Sequence, residues 1–91
     1  MASYNFTVMH GRRDAHGTYS FEAADDLMTH SPVRVMKVAM EHMDEMAHIG
    51  HIDYHLFSCL KDKETGIVTA LGNFVFHGDD VQPFTAFISR A

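Results

Sequence analysis

The densest run of side chains able to do chemistry is His48, His51, Asp53 and His55. Imidazoles and a carboxylate are the donors that hold Zn²⁺ or another divalent ion. In an extended segment His51, Asp53 and His55 fall on one face, with alternate positions about 6.6 Å apart, a spacing that sometimes lets them converge on one metal. No HExxH or CxxC accompanies them, and an all-local set of this kind is more often a polar, solvated strand face. The expectation is therefore no obligate cofactor, with these four residues as the candidate ligands should a divalent metal such as zinc bind.

Other candidates are weaker. Cys59 with a nearby histidine could be read as a nucleophile pair, but it lies in the apolar stretch Leu56-Phe57-Ser58-Cys59-Leu60. Apolar surroundings raise a thiol pKa, the opposite of what a nucleophile needs, so a buried, reduced, structural cysteine is expected. Asp25-Asp26 and Asp79-Asp80 read as turn or helix-entry solvation. The methionines at 36, 40, 43 and 46 suggest a soft-metal surface, yet three of them fall on a stripe that must face a core. Phosphate-binding glycine motifs, nucleophile elbows and dinucleotide fingerprints are absent. Asn5-Phe6-Thr7 matches a glycosylation sequon by chance, inside an expected strand and behind no secretory signal.

Histidine is the strongest compositional departure, with eight among 91 residues. His42 falls on a helix flank, and His10, His16, His30 and His77 at element ends or in turns. Eight added protons would take the formal charge of −5 to about +3, so the surface charge should reverse between neutral and mildly acidic pH.

The elements that would position these groups follow from periodicity. Tyr4 to Met9 alternates, with Tyr4, Phe6 and Val8 on one face, and Thr18 to Ala23 alternates again across the turn-rich residues 11–17, which predicts a hairpin. Ala24 to His30 fits neither pattern. Ser31-Pro32 is a helix start, Ser as N-cap and Pro at the first helical position, and Gly50 supplies the stop. The helix between them, Pro32 to Ile49, carries Val33, Met36, Met40, Met43 and Ala47 as its apolar stripe. Three strands follow, Ile52 to Leu60, Gly66 to His77 and Pro83 to Ser89, joined by short polar connections that favour an antiparallel meander. The fold class is α+β: a mostly antiparallel sheet of about five strands, in ββαβββ order, with one long amphipathic helix packed on one face, residues 1–91 forming one domain.

Composition narrows the function classes. At 46% hydrophobic and 21% charged residues the chain is an ordinary globular one. Its acidic balance and lack of basic clusters beyond Arg12-Arg13 exclude nucleic acid as a partner, and no apolar run is long enough for a membrane span. With no signal peptide and one cysteine, a cytoplasmic location is expected.

One feature bears on function. Gly66 to His77 is apolar on both faces, with Ile67, Leu71 and Val75 one way and Val68, Ala70, Phe74 and Phe76 the other. Phe84, Ala86 and Ile88 oppose Phe87 in the last strand. One helix covers one face, so the other must meet a second copy, a different protein partner, or its own sheet curled into a barrel. The expected function is that of a non-enzymatic homodimer or higher homo-oligomer acting by association or ligand binding at this face. The alternative is a small enzyme or metal-dependent binding protein using His51, Asp53 and His55.

Overall fold

The computed structural model describes residues 1–10, 16–47, 53–76 and 78–91. Five strands form one antiparallel sheet: β1 (Ala2–His10), β2 (His16–Ala23), β3 (Asp53–Lys61), β4 (Val68–Phe76) and β5 (Asp80–Arg90). One α-helix, α1 (Pro32–Ala47), follows a short 3-10 turn at Leu27–Thr29. The α+β class, with five antiparallel strands and a helix after the first hairpin, is thus the one expected from sequence.

The order within the sheet is not sequential: β2-β1-β5-β4-β3. The hairpin β1–β2 and the meander β3–β4–β5 both form as their periodicities predict, and they are joined by β5 returning beside β1, with Phe6 opposite Ile88 and Val8 opposite Ala86. β5 is thereby the middle strand of the sheet, with β1 on one side and β4 on the other. β2 and β3 are the outer strands of the order, and among the described residues they do not pair with each other, so the sheet is open.

Tyr4, Phe6, Val8, Phe21, Val68, Ala70, Phe74, Phe84, Ala86 and Ile88 are buried together with Val35, Met36, Ala39, Met40 and Met43 of α1. Each large apolar side chain so buried stabilises the fold by about 1.5–3 kcal/mol relative to exposure. Phe74 and Phe84 stack at 4.3 Å, and the buried Tyr4 ring discharges its hydroxyl by donating to the Ala24 carbonyl at 2.6 Å. His42 lies flat against Phe21, ring centroids 4.4 Å apart, so the histidine on the helix flank serves as a packing surface.

Ser31 caps α1, its Oγ accepting from the Arg34 N–H at 3.3 Å. The helical stripe differs from the expected one. Val35 and Ala39 are buried, whereas Val33 is 45% exposed. At about 100° per residue Val33 lies some 90° from the centre of the buried arc, and Val35 and Ala39 lie within it. Gly50 and the expected end at Ile49 are outside the described residues, as is the Arg12-Arg13 turn.

β3 carries the feature that a period-2 reading misses. Leu56 pairs with Gly72 but Ser58 pairs with Leu71, so Phe57 is an extra, bulged residue. Before the bulge Tyr54 and Leu56 pack on the core; after it Cys59 does, and Ser58 and Leu60 turn to the other face. Gly72 makes room for this. A Cβ there would collide with the backbone carbonyl of His55 and come within 2.8 Å of the Phe84 ring.

Candidate functional site

The face of the sheet away from α1 divides into two halves. Over β1 and β2 it is polar: Thr7 and Thr18 sit opposite each other with their hydroxyls 3.3 Å apart, and Ser20 donates to the Asn5 side-chain oxygen at 3.0 Å. Over β5, β4 and β3, and at the Met9 end of β1, it carries most of the exposed apolar side chains. Phe57 is 67% exposed, Leu60 68%, Val81 52%, Leu71 49%, Met9 39% and Phe87 36%. These six, at roughly 150–200 Å² for a fully exposed large side chain, leave on the order of 500 Å² of apolar surface in water, at the upper end of what a lone soluble chain carries.

Within this half an open groove of about 410 Å³ is lined by Met9, Phe57, Leu71, Asn73, Pro83 and Thr85, with Gly72 and Phe84 beneath. Met9, Thr85, Leu71 and Ser58 lie in one row across β1, β5, β4 and β3. Met9 therefore walls the groove on one side, and Phe57, projected by the bulge, on the other.

The sequence grouped Leu71 with Val75 and set Phe87 against Phe84, Ala86 and Ile88, but left open which parity of β4 meets the helix; burial of Val68, Ala70 and Phe74 puts Leu71 on the open face. Phe57 and Leu60 were read only as part of the apolar stretch around Cys59, whose thiol was expected to be buried. They are exposed because β3 is an outer strand: alternation from Leu56 already faces Phe57 outward, and the bulge turns Leu60 outward after it. Val81 was missed because β5 begins at Asp80, within what reads as a polar connection. Met9 was visible as an outward residue of β1, but its large apolar side chain gained meaning only from its neighbours.

Of the candidate metal ligands, Asp53 and His55 are both exposed on the open face of β3, opposite Val75 and Asn73. His48 and His51 lie outside the described residues. Among the described residues no three histidine, cysteine or acidic side chains gather as a metal site. Cys59 is half-buried against the core, and burial pushes its thiol above the ordinary value. The Tyr54 phenol is likewise raised, first by burial and then by the nearby carboxylates of Glu41 and Asp44. Neither group is activated; both are packing residues whose neutral forms the fold favours. Among the described residues no helix is long and apolar enough to cross a membrane.

No family model, curated protein or solved structure compared with this chain matches it. The geometry of the open face therefore carries the functional reading alone.

Proposed function

We propose that this protein is a non-enzymatic association module whose apolar half-face pairs with the same half-face of a second copy. The observation that carries the reading is the gathering of Phe57, Leu60, Leu71, Val81 and Phe87 on the β5–β4–β3 half, with Met9 at the adjoining end of β1, beside a polar stretch of β1 and β2 whose side chains hydrogen-bond to one another. A standard interface buries about 800 Å² per partner, some 55–65% of it apolar. The roughly 500 Å² of apolar surface here meets that need, and at about 25 cal/mol per Å² its burial contributes roughly 10 kcal/mol per chain before association costs. A face-to-face arrangement is favoured over edge pairing, because the bulge interrupts the ladder that β3 would offer a neighbouring strand.

The test is a matched pair of lysine substitutions. Leu71 is 49% exposed and Phe74 only 2%. Leu71→Lys should give a folded monomer by light scattering and circular dichroism, while Phe74→Lys should unfold. An unmutated protein that stays monomeric across micromolar concentrations would overturn the reading.

A second reading, metal-dependent ligand binding, draws on Asp53 and His55 standing two residues apart on the same exposed face. Zinc binding separates it from the first: a zinc-dependent rise in melting temperature belongs to the metal reading alone.

A further inference from the structure

Resting on the reading that the open face pairs with a second copy, we propose that Phe57 is the anchor of that contact, each copy inserting its Phe57 ring into the groove of the other. Phe57 is the extra residue of the β3 bulge, freed from ladder pairing, and is 67% exposed, an unusual state for an aromatic ring. It stands at the β3 wall of the groove, which continues past Leu71 and Thr85 to Met9 on β1, three strand spacings or about 14 Å away.

A two-fold interface is self-complementary: whatever the first copy inserts into the second, the second inserts into the first. A projecting ring beside an open apolar groove on one surface is the arrangement that satisfies this condition twice with a single residue type. The groove volume of about 410 Å³ holds a phenyl side chain with room for the Met9 and Leu71 side chains to close around it. Leu60, equally exposed, pairs across Thr69 outside the groove lining and belongs to the rim. Buried aromatic anchors dominate interface energetics, whereas rim contacts contribute little.

The experiment compares Phe57→Ala with Leu60→Ala by sedimentation equilibrium, beside an isotope-filtered NOE measurement on a mixture of methyl-methionine-labelled and unlabelled unmutated chains. Phe57→Ala should raise the dimer dissociation constant tenfold or more with an unchanged circular dichroism spectrum, and Leu60→Ala should raise it less than about threefold. The filtered spectrum should connect the Met9 methyl group of one copy to an aromatic ring of the other. A dimer in which Phe57→Ala binds as tightly as the unmutated chain, or which lacks the Met9 cross-peak, overturns the anchor and leaves the dimer standing. A Phe57→Ala chain that fails to fold leaves the decision to the cross-peak. An unmutated chain that is monomeric overturns both.

Discussion

At the scale of single residues, two positions are constrained in ways that can be measured directly. Gly72 is the point where β3 closes on β4, with the His55 carbonyl and the Phe84 ring occupying the space of a Cβ. Gly72→Ala should cost about 1–3 kcal/mol in urea unfolding, because one of those neighbours must move in a packed region. Asp62 orders the β3–β4 connection. Its carboxylate accepts from the Thr65 hydroxyl at 2.7 Å and from the Glu64 N–H at 3.2 Å, while Gly66 takes a positive φ of 75° that a glycine adopts without strain. These hydrogen bonds, that from Thr65 first, hold the Asp62 carboxyl below its usual 3.8. The ionised form is the one bound in the fold, so the turn is fully ordered above that usual value and loosens as pH falls through the lower folded one. An NMR titration should place the Asp62 midpoint below 3.8, and Thr65→Val should move it upward; an unmoved midpoint would mean that the hydroxyl has no hold on the carboxylate.

At the scale of elements, α1 and β3 divide the labour. The helix presents Val35, Met36, Ala39, Met40 and Met43 to the sheet, and methionines fill the irregular space between a flat helix face and a twisted sheet. Met40 is 2% exposed. Met40→Asp should therefore unfold or severely destabilise the protein, by about 3 kcal/mol or more, since an unpaired carboxylate would be placed against apolar side chains; thermal melting followed by circular dichroism would show it. A variant that melts like the unmutated chain would mean that the stripe faces water. β3 is the converse case, an outer strand whose bulge leaves Phe57 outside the ladder, turns Leu60 outward and brings Cys59 onto the core. The same device makes it a poor template for edge-to-edge pairing.

At the scale of the whole molecule, the asymmetry of the open face decides what can be coupled to folding. Association through the apolar half ties stability to protein concentration, so the melting temperature should rise as the chain is concentrated. A metal held by His51, Asp53 and His55 would act independently of concentration. If that second reading holds, zinc should raise the melting temperature of the unmutated protein, and His51→Ala combined with His55→Ala should abolish the rise while leaving the metal-free fold intact. Absence of any zinc-dependent rise in the unmutated chain would withdraw the metal reading and leave association alone.

What the sequence by itself determined is what lies within an element. The alternation of Tyr4, Phe6 and Val8, the Ser31-Pro32 start of the helix and the two-sided apolar character of residues 66–77 are local periodicities, and each reappears in β1, α1 and β4. Counting one helix against two apolar faces was enough to mark the second face as the one to watch. The neighbours of each strand were decided only by tertiary structure. Placing β5 beside β1 puts β5 at the centre of the sheet and leaves β2 and β3 outermost. Burial of Val68, Ala70 and Phe74 then settles which parity of β4 meets the helix, a choice that two equally apolar faces leave open in the sequence. The bulge at Phe57 was equally invisible, because a one-residue register shift reverses the facing of every later residue without altering composition or hydropathy. Strand pairing is a long-range property, set by packing on Gly72 and Phe84 rather than by the residues of β3 alone, and it is this pairing that assembles Met9, Phe57, Leu71 and Thr85 into one groove.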